Sequence, residues 1–170
     1  HNIQWNPKGF ALQPAFAAGI HKVQQAGFHF ELCCTYDQLD EVLKLVQLCE
    51  GVPLVLDHCG KPPINKGEIE PWQTQLRRLA AYQNVYCKIS GLLTEADLQH
   101  WNNAQLKTYA EHAADCFGPQ RIMFGSDWPV LTLAGRYQDW YDFTQYLTQG
   151  WNESNRRAFY HDNAVRFYRL

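Results

Sequence analysis

Pro53-Leu54-Val55-Leu56-Asp57 is a short apolar run that stops on a carboxylate and is followed at once by His58. So short a run, bounded by Gly51 before it and Gly60 after it, predicts a strand covered on both faces. The flanks support that reading. Upstream, Tyr36 to Glu50 places Leu39, Val42, Leu43 and Val46 on one helical face. Downstream, Cys59 to Gly67 carries Gly60, Pro62, Pro63 and Gly67, a loop composition, and Pro71 to Tyr82 is again helical.

The same alternation extends in both directions. A helix is expected from about Gln13 to Ala26, with Pro14 in its first turn and Gly27 at its exit. Phe28 to Cys34, Val85 to Ser90 and Arg121 to Gly125 read as further strands. Helical sequence is expected near Asn103 to Cys116, Tyr137 to Thr148, Glu153 to Tyr160 and Asn163 to Tyr168. The opening His1-Asn2-Ile3-Gln4-Trp5 reads as the end of a strand whose upstream half is not in this chain. Repeated β-α units imply a parallel sheet with right-handed crossovers. A closed barrel and an open doubly wound sheet both fit, but no G-x-G-x-x-G follows a strand, which weakens the dinucleotide-binding version. The expected class is α/β: the C-terminal half of a (β/α)8 TIM barrel, with residues 1–170 forming a single partial domain. Half a barrel leaves strand edges open, so a second copy or the missing N-terminal half is expected as a partner.

Composition narrows the function classes. The formal net charge of −2, with no lysine or arginine run, argues against nucleic acid and against an anionic membrane surface as partners. No apolar stretch is long enough to span a bilayer, and no charged segment followed by an apolar one opens the chain. None of the six cysteines forms a C-x-x-C pair, and several lie in apolar runs. Reduced, packed cysteines in a cytoplasmic protein are therefore expected rather than a disulfide framework.

In parallel α/β folds ligands bind at the carboxyl ends of the strands. Those ends carry His58, Ser90, Asp127 and Trp128, with Cys34, Thr35 and Tyr36 at the exit of the earlier strand. Asp127 follows an apolar strand inside a turn shaped by Gly125 and Pro129. It can bind a metal or accept a proton from water, or it can cap the loop. His58 can ligate a metal, polarise a carbonyl or shuttle a proton, or it can be a hydrogen-bonded core histidine. Strand alternation places Asp57 on the face opposite His58, as a structural anchor. Lys88 is unusual inside a strand: it pairs with a carboxylate inside the barrel or reaches the pocket. Cys33, Cys34 and Cys59 lie near strand ends and read as packed thiols ahead of a thiol nucleophile. His21, His100, His112 and His161 fall on expected helices and His29 at the far end of a strand, all away from the site.

Leu56-Asp57-His58-Cys59-Gly60-Lys61-Pro62 and Met123-Phe124-Gly125-Ser126-Asp127-Trp128-Pro129, with Asn84 to Gly91 between them, resemble the amidohydrolase-related family of metal-dependent TIM-barrel hydrolases. The nearest branch resembles the sugar lactonases acting on fuconolactone and rhamnonolactone, and the 2-pyrone-4,6-dicarboxylate lactonase is a more distant likeness. By that resemblance the chain runs from the end of barrel strand four through strand eight. His58 then matches the sixth-strand histidine and Asp127 the eighth-strand aspartate. The family's first-strand His-x-His pair has no match here, and no ligand role is carried onto His1.

The resemblance implies lactone hydrolysis, with Asp127 as general base or metal ligand and His58 assisting. It implies Tyr36, Lys88, Ser90 and Trp128 as substrate contacts, and a divalent metal, zinc first, held by Asp127 and His58. The absence of arginine from the strand ends favours a neutral sugar lactone over a dicarboxylate. A metal-dependent decarboxylase of the same superfamily and a catalytically incomplete fragment are the competing readings.

Overall fold

The computed structural model describes residues 2–170. In chain order it contains α1 (Pro14–Gln25), β1 (Phe30–Leu32), α2 (Leu39–Leu48), β2 (Leu54–Leu56), α3 (Trp72–Ala80) and β3 (Val85–Ile89). These are followed by α4 (Leu92–Glu95), α5 (Asn103–Phe117), β4 (Ile122–Phe124), α6 (Tyr137–Leu147), α7 (Glu153–Arg157) and α8 (Asn163–Tyr168). The four strands form one parallel sheet in the order β1-β2-β3-β4. Chain order and spatial order coincide, without the reversal that defines a doubly wound sheet, so the barrel-type alternative holds. The opening segment adds a parallel bridge, Asn2 to Cys33, on the outer edge of β1. His1 lies outside the described residues.

Side-chain alternation divides the sheet into two environments. Leu54, Leu56, Val85, Cys87, Ile89 and Ile122 are wholly buried beneath the helices. On the other, concave face the register sets Glu31 beside Val55, Val55 beside Tyr86, and Lys88 beside Met123. Val55 and Met123 pack there against Phe167 of α8, with Tyr86, Ala164 and Tyr168 around them. Above that apolar layer Lys88 binds the carboxylates of Glu31 at 2.7 Å and Asp57 at 3.0 Å. The Tyr168 hydroxyl donates to the same Glu31 oxygen. Lys88 is therefore paired inside the concave face, the first of its two expected placements.

Local chemistry explains the element boundaries. Asn102 caps α5, its side chain accepting the Gln105 N–H at 3.0 Å, and Asn152 does the same for Asn155 at 2.8 Å. Tyr36–Gln38 is a tight 3-10 turn rather than the start of α2, and Thr35 and Gln38 cap it reciprocally. The two C-terminal helices expected from sequence are one continuous run. No glycine or proline separates them, and a π-turn at Ala158–Asp162 absorbs the misfit. That wider turn buries Phe159 and lets the Asn163 amide donate to the carbonyls of Pro119 and Ile122 at 2.8 and 2.7 Å. His100 sits in a turn bonded to Asp97 rather than on a helix. All six cysteines are free.

Candidate active site

The strand ends carry strained backbone. After β2 the chain makes a left-handed turn, with φ of 53° at His58, 52° at Cys59, 70° at Gly60 and 49° at Lys61. Asp127, after β4, is also left-handed at φ 59°. Each non-glycine residue held this way costs roughly 1–2 kcal/mol, and such strain persists where surrounding structure enforces it. Here it aims two side chains at each other. His58 Nε2 and Asp127 Oδ1 stand 3.6 Å apart. The other imidazole nitrogen, Nδ1, lies 2.8 Å from the Ser90 hydroxyl at the end of β3. Gly91 provides the space: a Cβ built there would sit 2.7 Å from His58 Nδ1 and 3.1 Å from Asp127 Oδ2.

The left-handed turn also corrects the expectation for Asp57. With β2 ending at Leu56, simple alternation puts Asp57 on the concave face with Val55, and the backbone reversal then swings His58 to the same side. Asp57 and His58 therefore converge, and a donor atom of Cys33 joins them, all within 4.8 Å of one another. Asp57 is held by Lys88 across the interior at 3.0 Å.

Electrostatics follow from burial. Loss of water pushes the Asp127 carboxyl above the usual carboxylate range, against the opposing pull of His58 and Lys61. The same loss pushes the His58 imidazole below its usual range, against the pull of Asp127. Both groups are thus biased toward their neutral forms. Lys61, fixed by Glu95 at 3.1 Å, supplies a positive charge beside the pair.

The structure brings together His58, Asp127 and Ser90. Ser90 is 1% exposed, and its hydroxyl is engaged with the imidazole. Lys88 is engaged by Glu31 and Asp57. Trp128 is adjacent to Asp127 and 67% exposed, with its ring open to solvent. Tyr36 packs against the main core, and its hydroxyl accepts from Lys66 at 2.9 Å. Cys34 is wholly buried, its thiol pushed far up by desolvation. Sequence reasoning passed over Gly91, Lys61 and Glu95. For Gly91 no pattern signal exists, because its role is the space it leaves empty. A separate cleft lies elsewhere, lined by Gln4, Thr35 and Glu41. Glu41 there already accepts the Gly9 and Ala11 N–H groups at 2.7 Å each, so the cleft offers less chemistry than the strand ends.

The His58–Asp127 spacing suits a metal. It exceeds hydrogen-bond length and is near the separation of about 3.4 Å expected for two ligands of one tetrahedral zinc. Ser90 on the far nitrogen matches the outer partner that metal-binding histidines commonly have.

The amidohydrolase family pattern matches residues 1–170, the whole chain. The chain belongs to the amidohydrolase family. It is 36% identical to an L-fucono-1,5-lactonase of Burkholderia multivorans over 96% of this chain and 58% of that protein. It is 32% identical to an uncharacterized protein of Sinorhizobium fredii over 92% of this chain and 52% of that protein. Among solved structures, an amidohydrolase from Burkholderia multivorans with bound zinc superposes with a TM-score of 0.96 at 32% identity. That superposition covers all of this chain and 63% of the solved one. The chain thus spans little more than half the length of the relatives it matches, and its sheet corresponds to part of an amidohydrolase TIM barrel. Among the described residues no helix is long and apolar enough to cross a membrane.

Proposed function

We propose that the protein opens the ring of a lactone, with a sugar lactone as the substrate class, by attack of water at the strand ends described above. The observation that carries this reading is the facing pair, His58 Nε2 and Asp127 Oδ1, held on left-handed turns with Ser90 behind the imidazole. The likeness to a lactonase at 36% identity supports it.

Asp127 orients water and takes its proton, and its raised carboxyl pKa brings it closer to the range useful for a general base. His58 stabilises the oxygen that gains charge as the carbonyl is attacked, and the proton taken by Asp127 passes to the ring oxygen as it leaves. Ser90 suits either tautomer, because a hydroxyl can donate to Nδ1 or accept from it. Trp128 offers an aromatic face for the C–H side of a sugar ring. His58 and Asp127 are the residues that would hold a divalent ion, zinc first. When bound, such an ion supplies Lewis acidity toward carbonyl or water oxygen.

Residues 1–170 are read as the later part of an eight-stranded barrel, from the end of strand four through strand eight. The free edge of β4 then pairs with remaining strands or with a second copy. Sedimentation of the 170-residue chain tests this: association or poor folding is expected, and a stable active monomer argues against it.

The activity test is Asp127→Asn in the complete protein. Turnover should fall on the order of a hundredfold or more, the scale of a lost general base. The product should be a hydroxy acid. Undiminished turnover would remove Asp127 from the chemistry, and release of carbon dioxide would move the reading to a decarboxylase.

A further inference from the structure

We infer that Cys33 is a thiolate ligand for a divalent cation of the zinc type, bound together with His58 and the Asp57 carboxylate. The inference rests on the reading of His58 as a metal ligand and adds a donor that neither the resemblance nor the family match assigns. Cys33, Asp57 and His58 come from the ends of two neighbouring strands, and one donor atom from each falls within 4.8 Å of the other two. Since Nδ1 of His58 is taken by Ser90, Nε2 is the nitrogen left for a metal. Nε2 also faces Asp127 Oδ1 at 3.6 Å, although Asp127 is not one of the three clustered donors.

Charge balance points the same way. Glu31, Asp57 and Asp127 bring three carboxylates to this region, with the ammonium of Lys88 between the first two, so the surroundings favour a cation. Lys61 is already matched by Glu95. Burial alone would keep the Cys33 thiol protonated. A cation beside it reverses that preference, and the proton leaves as the sulfur–metal bond forms. A thiolate in the donor set selects zinc or cadmium over magnesium, calcium or manganese, which prefer all-oxygen sites.

The remaining cysteines do not share this placement. Cys34 points to the other face and is wholly buried, and Cys116 lies on α5 beside His112. They serve as internal controls.

The test is titration of the purified protein with cadmium alone, read by the sulfur-to-cadmium charge-transfer absorbance, and with zinc by calorimetry. One band saturating at one equivalent is expected in the wild type and in Cys116→Ser. It should vanish in Cys33→Ser, with zinc affinity reduced by at least the ~10–100-fold that loss of an outer partner costs. X-ray absorption of the wild-type zinc complex should show one sulfur scatterer near about 2.3 Å, a readout independent of any variant's folding. Zinc bound with nitrogen and oxygen scatterers only would overturn the role of Cys33 while leaving His58 and Asp127 as ligands. A band that survives Cys33→Ser would overturn it equally. Absence of any metal binding would overturn both this inference and the metal reading of His58.

Discussion

Gly91→Ala separates the geometry of the site from the stability of the fold. Residue 91 has φ 66°, so an alanine there carries the left-handed penalty of roughly 1–2 kcal/mol. The new methyl carbon would also stand 2.7 Å from His58 Nδ1 and 2.8 Å from its Cγ. Carbon contacts settle at about 3.5–4.0 Å, so the imidazole has to retreat by about 1 Å. That movement breaks the 2.8 Å contact with Ser90, at a net cost of about 1 kcal/mol, and turns Nε2 away from Asp127. A misplacement of about 1 Å at a reacting group costs on the order of a hundredfold in rate. Gly67 supplies the matched control: its φ is also 66°, and nothing lies within 4 Å of the position of its Cβ. Both variants should lose about 1–2 kcal/mol from backbone strain. Only Gly91→Ala should lose about a further 1 kcal/mol and about a hundredfold in turnover. Lactone opening releases acid, so a pH indicator follows the rate, and urea unfolding gives the stability. Equal turnover in the two variants would refute the claim that Gly91 shapes the His58–Asp127 pair.

Ser90→Ala removes the partner of His58 Nδ1 without filling space, and turnover should fall ~10–100-fold, the usual scale for an outer partner of a ligand or catalytic histidine. If turnover holds steady, the imidazole is oriented by packing alone. Glu31 is buried enough to raise its pKa, but the hydrogen bonds from Lys88 and Tyr168 win and bring it below its ordinary 4.5. A carboxyl lowered by folding stabilises the native state above its unfolded pKa. That contribution is lost as pH falls through the folded value. Stability should therefore decline below about pH 4.5, and Glu31→Gln should flatten that decline in urea titrations at several pH values. An unchanged acid limb would show that Glu31 gains nothing from Lys88.

Much of this architecture was legible because the sheet is buried on one face and partly covered on the other. The apolar runs at Leu54–Leu56 and Ile122–Phe124 have no other stable use, and their consecutive order follows from β-α crossovers. His58 and Asp127 were legible by position, since each follows a strand. What alternation missed was where it stops. It placed His58 and Asp57 on opposite faces, which holds for extended backbone. Left-handed geometry is uncommon for any residue but glycine, and although histidine adopts it more readily than most, consecutive left-handed residues at His58 and Cys59 are not written in residue preferences. Applied to β1 and β3, the same alternation sets Glu31 and Cys33, and Lys88 and Ser90, in line along the concave face. The interior charges could have been found that way. The role of Gly91 could not, because it depends on a close approach between three separate strand ends.

The apolar layer under Lys88 bears on traffic. Val55, Met123 and Phe167 close the concave face below the charged side chains, and Tyr86 and Tyr168 fill the remaining gaps around them. Among the described residues these side chains form an apolar floor along this stretch of the sheet. His58 and Asp127 stand at the strand-end rim, beside the Lys61–Glu95 pair. On the proposed reading, a carboxylate product held at His58 occupies the place of the incoming lactone and should behave as a competitive inhibitor.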